Sequence, residues 1–413
     1  MGRKVLMLAS VASMIDQFNM PNIRLLQTMG YEVHVACNFA KGNTCDEMRI
    51  RSLQKMLQEL SVCQHAWDCP RAAFSVLECL RAYRQLLELM KQHHFAWIHC
   101  HSPVGGVLAR LAARRQGIRV IYTAHGFHFY SGAALQNWLL YYPVEKLLSH
   151  WTDVLVTVNQ EDTYLAKRRL YAGKVRRIPG VGIDTEAYQK SCRYTKEQFH
   201  RKYKIPENAI VLLSVGELSR RKNHRLVLAA LSMLRRQDVY YLICGQGKER
   251  RRLKQAAGRL GVGHYLRLPG YEEDLRWIYQ NADIFVFPSL QEGMPVALME
   301  AMAAGLPCVV SDIRGSRELI DSLAGGMRFT PGSVQELSHA LEWLLSSKEA
   351  RKLCGQYNQE KIKGFRIEAV QRRMKRIYEA MDTDTDLRSE RRQHTKGRPG
   401  DKQGADKEGH RHQ

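Results

Sequence analysis

Three stretches of this 413-residue chain combine residue types and spacings suited to a phosphorylated ligand. The first runs Pro288-Ser-Leu-Gln-Glu-Gly-Met-Pro-Val-Ala-Leu-Met-Glu-Ala-Met-Ala-Ala-Gly-Leu-Pro307. A buried strand is expected to end at Pro288 and a helix to begin near Pro295, because proline suits the first helical position, where an N–H would go unpaired anyway. The N–H groups of Met294, Val296 and Ala297 then form an anion site beyond the carboxyl edge of a sheet. Glu292 stands just before this helix, beside a ligand at its start. Glu300 lies within it, within reach of a ribose hydroxyl pair. A glutamate pair alone is common on solvated helices; the surrounding Ser-Leu-Gln-Glu-Gly-Met-Pro makes this one specific.

The second stretch, Val215-Gly-Glu-Leu-Ser-Arg-Arg-Lys-Asn-His224, follows another expected strand. Its consecutive cations Arg220, Arg221 and Lys222 suit a diphosphate, which takes charge-assisted hydrogen bonds from arginine and lysine. Gly216 gives the loop its freedom at the strand end. The third stretch, Tyr122-Thr-Ala-His-Gly-Phe-His-Phe-Tyr130, places His125 after a buried strand and before Gly126, facing the crevice from the first half of the chain. His125 with His128, and His99 with His101, have metal-binding atoms, but no carboxylate or cysteine completes a ligand set, so no metal is expected.

Several activities lack their signatures. The first strand is followed by Ser10-Val-Ala-Ser-Met-Ile-Asp16 rather than G-x-G-x-x-G, and there is no G-x-x-x-x-G-K-[ST]. This argues against a dinucleotide dehydrogenase and a P-loop nucleotidase. No G-x-S-x-G elbow is present either.

The elements that must position these loops alternate between short apolar runs and longer amphipathic ones. Nine strands are expected: Val5–Ala9, Glu32–Cys37, Ala96–Cys100, Val120–Thr123 and Val154–Val158 in the first half, and Ile210–Val215, Tyr240–Cys244, Asp283–Phe287 and Cys308–Ser311 in the second. Strands alternating with helices imply parallel βαβ units, and nine fit two doubly wound α/β domains better than one sheet. The boundary is expected within Asp184–Pro206. Val370, Met374, Ile377 and Met381 form one apolar face of a closing helix. The expected layout is 1–185, 186–360, a helix at 361–381 and a disordered polar tail at 382–413.

Hydrophobic residues at 45% and charged residues at 25% exclude a fibrous or disordered chain. The formal net charge is +22. The tail holds eight basic and seven acidic side chains, so the excess lies on both domains, where it attracts polyanions. The ten cysteines form no C-x-x-C pair, which favours a reducing compartment. The run Val5–Ala12 imitates a signal-peptide core, but the helix and strand expected directly after it make it a first buried strand. The chain reads as cytoplasmic. Nucleic acid is not an expected partner, because no basic stripe with stacking aromatics is present.

The Glu292-x7-Glu300 segment, the Gly216–His224 loop, Leu268-Pro-Gly-Tyr271 before Asp274, and Thr123-Ala-His-Gly126 together resemble the large retaining family-4 glycosyltransferases over residues 1 to about 380. The segment from Ala124 to Asp153 is similar to bacterial members that build capsular or extracellular polysaccharide. The resemblance implies a GT-B fold, two facing Rossmann-like domains with a C-terminal helix crossing back. It implies an acceptor-binding first domain and a second domain holding a nucleoside-diphosphate sugar, with no divalent metal or other cofactor.

Carried over by motif, Glu292 binds the sugar hydroxyls, and the Gly293, Met294, Pro295 and Val296 backbone binds sugar and phosphate. Glu300 takes the ribose, Tyr271's backbone the base, and Arg220 or Arg221 with Lys222 the diphosphate. Glu217 stands where many members carry arginine. His125, Glu292 and Lys222 are the expected catalytic residues. The expected acceptor is a lipid-linked saccharide, which puts the protein at the inner face of an anionic membrane. The helix Asn137–Leu148, with Trp138, Tyr141 and Tyr142, beside the Arg-rich Leu80–Lys91, is a candidate contact; those aromatics could equally be core. A sugar-nucleotide 2-epimerase shares fold and nucleotide site and is the nearest alternative; a nucleic-acid-binding protein is the alternative from another class.

Overall fold

A computed structural model describes residues 2–43, 45–71, 75–101, 103–190 and 194–383. The expected tail from 384 onward lies outside the described residues. Thirteen strands form two wholly parallel sheets. The first contains β1 (Lys4–Val11), β2 (Glu32–Asn38), β3 (Cys63–Ala66), β4 (Trp97–His101), β5 (Arg119–Ala124), β6 (Val154–Thr157) and β7 (Lys174–Arg177), in the order β3-β2-β1-β4-β5-β6-β7. The second contains β8 (Ile210–Val215), β9 (Val239–Cys244), β10 (Leu266–Gly270), β11 (Ile284–Phe287), β12 (Cys308–Ser311) and β13 (Gly326–Phe329), in the order β10-β9-β8-β11-β12-β13. The opening apolar run is β1, fully buried beyond Lys4 and set between β2 and β4.

Each sheet carries an apolar cluster on either face, as parallel sheets with helical crossovers must. Strand order reverses between β1 and β4 in the first sheet and between β8 and β11 in the second. The crevice beyond the carboxyl ends at such a reversal is where an open α/β sheet binds ligands. The Gly216–His224 loop leaves β8 and the Pro288–Pro295 loop leaves β11, so both flank the reversal in the second sheet.

The chain passes between the domains twice, side by side. Ile183 N donates to Phe365 O at 3.1 Å, and Ile367 N donates to Ile183 O at 3.1 Å. Gly182 has φ +86°, and a Cβ on it would lie 2.8 Å from Ile367 Cα, so the two passes meet closely because this residue is glycine. The last helix, Ile367–Asp382, then returns to the first domain. Val370, Met374, Ile377, Tyr378 and Met381 are buried there in the cluster that includes Val5, Met7 and Trp97. Tyr378 stacks on Trp97 at a centroid distance of 5.3 Å. Asp382 accepts from Arg3 at 2.7 Å and from Tyr31 Oη at 2.5 Å.

The helix Leu135–Ser149 decides between the two readings of its aromatics. Half-buried Trp138, Tyr141 and Tyr142 pack against the cluster of Phe127 and Phe129, and Trp138 Nε1 donates to Tyr130 O at 3.2 Å. Its buried Glu145 pairs bidentately with buried Arg110, at 2.8 and 3.0 Å, which ties the helix to the neighbouring helix Pro103–Gln116. The side turned to solvent is aliphatic. Leu135, Leu139, Leu140 and Leu147 are each more than half exposed. No helix among the described residues is long and apolar enough to cross a membrane.

The closing helix contributes core to a domain whose other core residues run from Val5 to Ile178, so Met374→Ala should lower the first domain's stability by about 2–5 kcal/mol, the usual cost of a large-to-small change at a fully buried site. Guanidinium unfolding followed by circular dichroism measures it; an unchanged midpoint would refute the packing role.

Candidate active site

The helix Val296–Ala303 begins one residue later than expected, with Pro295 as its N-cap, and no side chain caps its first turn. Its start therefore keeps partial positive charge and free N–H groups facing the crevice. Arg221 and Lys222 converge on Glu292 just ahead of it. Arg221 Nη1 lies 2.5 Å and Lys222 Nζ 2.8 Å from Glu292 Oε1. Arg221 Nη1 also donates to Gln291 O at 2.9 Å. Lys222 is well shielded and lies over the Phe287 ring. Gly216 has φ +144°, and a Cβ there would come within 3.2 Å of Lys222 Cε, so glycine leaves the lysine its channel across the loop.

Arg220 is not part of this cluster. It is strongly exposed and its Nε lies 3.8 Å from Glu249 on the neighbouring loop. Of the two arginines left open by the sequence, Arg221 is the one brought to Glu292. Glu217 is exposed at the loop's outer side.

Glu300 lies about one turn into the same helix. Tyr188 Oη donates to its Oε1 at 2.7 Å and Tyr279 Oη to its Oε2 at 2.8 Å. Burial pushes the Glu300 carboxyl above its ordinary value, against the downward pull of these two phenols. Tyr271 follows Gly270 at the end of β10 and is about half exposed.

The first domain meets this surface directly. A Cβ on Gly293 would lie 1.8 Å from His125 O, and one on Gly126, φ +139°, would lie 2.9 Å from Gly293 Cα. Only glycines allow the two loops to approach so closely. Met294 packs against the cores of both domains. Three residues outside the expected motifs hold the approach together. Arg314, beyond β12, donates from Nη1 to Asp162 Oδ1 at 2.6 Å, from Nη2 to Phe127 O at 2.5 Å and from Nε to Glu292 O at 3.1 Å. Asn159 Nδ2 donates to Gly293 O at 3.2 Å and to Asp162 Oδ2 at 2.8 Å. The sequence signal for Asn159 and Asp162 was their place in a helix cap, Asn-Gln-Glu-Asp, directly after β6.

His125 stands at the end of a chain of rings. Its Nε2 is 3.1 Å from His101 Nδ1, and His101 Nε2 is 3.2 Å from Met7 Sδ. A thioether can only accept, so His101 carries its proton on Nε2 and accepts at Nδ1 from the Nε2–H of His125. Nδ1 of His125 is left as an acceptor. His99 bonds Tyr378 Oη at 3.0 Å and Thr123 Oγ1 at 2.8 Å. His99 and His101, the second histidine pair with metal-binding atoms, are thus committed to the core. Burial pulls His125 down to about 4 and His99 to about 3, and it pulls His101 well below its ordinary value.

These folded values lie below those of free imidazole, so beneath about pH 6.5 the unfolded chain binds protons that the folded rings refuse. Stability present above that pH is lost as pH falls toward the folded values, by up to about 1.4 kcal/mol per pH unit per ring. Urea midpoints should fall from pH 7 to 5, less steeply in His125→Ala; equal slopes would show that His125 is not held neutral.

Comparison with known proteins agrees with this geometry. The family described as Glycosyltransferase Family 4 matches residues 23–187, and Glycosyl transferases group 1 matches residues 195–361. EpsD of Bacillus subtilis (strain 168), named at family level as a glycosyltransferase, is 33% identical over 94% of this chain and 100% of its own. The UDP-Gal:alpha-D-GlcNAc-diphosphoundecaprenol alpha-1,3-galactosyltransferase of Escherichia coli is 28% identical over 74% of this chain and 80% of its own. Among solved structures, Anabaena Alr3699/HepE in complex with UDP superposes with a TM-score of 0.74 over 91% of this chain and 100% of that one, at 17% identity. The facing domains, the order of the two matched halves and the full-length relative establish that this chain belongs to the GT-B glycosyltransferases that join a family 4 half to a group 1 half.

Proposed function

We propose that this glycosyltransferase moves a sugar from a uridine-diphosphate sugar to a lipid-linked saccharide, with retention at the anomeric carbon, during assembly of a bacterial capsular or extracellular polysaccharide. The observation that carries the reading is the convergence of Arg221, Lys222 and Glu292 on an uncapped helix start that faces His125. Cleaving the anomeric bond leaves negative charge on the departing diphosphate. Preorganised cations and helix N–H groups stabilise that charge most in the transition state, so Lys222, Arg221 and the helix do the work a divalent ion does elsewhere. Glu292, now neutralising both cations, turns to the sugar hydroxyls when the diphosphate takes its place. Glu300 holds the ribose, and the Tyr271 backbone the base.

In a retaining transfer the acceptor hydroxyl attacks from the leaving-group face and its proton goes to the departing phosphate oxygen. His125 is neutral and presents an acceptor atom, so it positions a hydroxyl rather than supplying a positive charge. The named substrates of the Escherichia coli relative, a UDP-sugar and a sugar carried on diphosphoundecaprenol, support both halves of this assignment. The relatives are transferases, which favours transfer over the 2-epimerase alternative.

The acceptor explains the exposed leucines of Leu135–Ser149. Lys146 lies on the same helix, and Arg169, in the basic last turn Lys167-Arg168-Arg169 of the following helix, reaches the Trp138 ring. An aliphatic stripe next to a basic cluster suits the surface of an anionic membrane, where a lipid-linked sugar is presented at the cytoplasmic face.

The deciding experiment is a donor screen for nucleotide-diphosphate release with and without lipid-linked acceptor; release from no UDP-sugar in either arm would sink the proposal. Lys222→Ala should lower kcat about 100- to 1,000-fold, the usual loss on removing one transition-state donor, with the fold intact by circular dichroism. His125→Ala should lower kcat/KM, while the wild-type rate shows no inflection near pH 6–7 that the substitution abolishes. Leu139→Glu with Leu147→Glu should abolish co-sedimentation with anionic vesicles and leave turnover on a soluble acceptor analogue unchanged; undiminished sedimentation would exclude this helix as the membrane contact.

A further inference from the structure

We propose that His34, His65 and His93 form a binding site for a divalent transition-metal ion of the zinc class, at the end of the first domain away from the crevice. Three separate elements deliver the ligands. His34 is on β2, His65 is on the edge strand β3, and His93 ends the helix Val76–His93. One ligand atom from each lies within 4.8 Å of the other two. His34 Nδ1 and His65 Nε2 are 2.9 Å apart, and the His93 ring lies 4.8 Å and 5.1 Å, centroid to centroid, from His34 and His65. A tetrahedral ion roughly 2.0–2.1 Å from each nitrogen needs nitrogens about 3.3 Å apart, so the His34 and His65 rings, now hydrogen-bonded nitrogen to nitrogen with their planes 9° apart, must part and turn toward the ion, which displaces the proton His65 Nε2 donates to His34.

The outer shell is already in place. Glu32 Oε1 lies 3.0 Å from His34 Nε2, so the carboxylate holds that nitrogen as N–H and leaves Nδ1 with its lone pair aimed at the cluster. Metal-bound histidines are oriented in this way. His34 is buried against the edge of Phe95 at 5.0 Å, whereas His65 and His93 are partly exposed, which gives the ion an apolar floor and an open entrance. Cys63 joins Glu32 and His34 in a second, overlapping ligand group. Imidazole with a nearby thiol selects zinc, copper or nickel over magnesium or calcium.

The position assigns the role. His34 is the third residue of β2, and His93 ends the helix that leads into β4, which places both near the amino edge of the sheet; His65 lies beside Ala36 on the edge strand, while sugar transfer belongs to the carboxyl edge. The ion would clip the four-residue strand β3, and the end of the helix beside it, to β2. The ligands are 31 and 28 residues apart, so no local motif announces them.

The full-length protein, stripped with a chelator and titrated with zinc sulfate by calorimetry, tests this beside His65→Gln/His93→Gln. The unaltered chain should take up one zinc ion per molecule that the variant lacks, and zinc should raise its Tm but not the variant's. Zinc bound by the C-terminal His394, His410 and His412 is common to both chains and cancels. Should the double variant fail to fold, His93→Gln at the helix end should still weaken this binding at least tenfold. Equal uptake and equal Tm shift in the folded variant and the unaltered chain would overturn the proposal.

Discussion

The crevice depends on one buried pair, Arg314 with Asp162. Both side chains are almost wholly removed from solvent, and they come from opposite domains. Such a pair is costly to desolvate and repays the cost only when every remaining donor and acceptor is satisfied. Here they are nearly all used. Arg314 also reaches the Phe127 and Glu292 carbonyls, while Asp162 accepts from Asn159 and from the Phe127 N–H. The result is directional: the guanidinium touches the backbone beside Glu292 on one side and the loop after His125 on the other. The two sides of the crevice are thereby held in one register by a residue that belongs to neither motif.

The charges within the crevice are arranged on two principles. On the second domain they are retained and paired, with two cations on one carboxylate at a helix start. On the first domain they are suppressed, because a stack of histidines is buried deeply enough to stay neutral. A ligand entering between them meets a surface that attracts phosphate on one side and offers hydrogen bonds without net charge on the other. That asymmetry suits a reaction in which negative charge grows on one partner only.

The nine strands legible in the sequence are the nine interior strands of the two sheets. The four that were not, β3, β7, β10 and β13, are the four edges. An edge strand need not be apolar on both faces, so Cys-Gln-His-Ala or Lys-Val-Arg-Arg gives no continuous hydrophobic run. The site loops were legible for a related reason: glycine, proline and charge at a strand's end act locally. Arg314, Asn159 and Asp162 join the two domains through contacts 130 or more residues apart in the chain, and spacing cannot reveal those. Trp138, Tyr141 and Tyr142 were ambiguous because composition alone does not say which side of a helix faces the sheet. The leucines between them carry the exposed side.

The closing helix also bears on how the protein is made. Domains released from a ribosome ordinarily fold in order, the first before the second is complete. In this chain the first sheet cannot cover Val5, Met7 and Trp97 until residues near Met381 have emerged, because those residues are part of the same core. The amino-terminal half must therefore wait through the synthesis of the whole second domain with part of one apolar face uncovered. Its folding waits on the helix Ile367–Asp382, and a nascent chain truncated before Ile367 would release a finished second domain joined to an unfinished first.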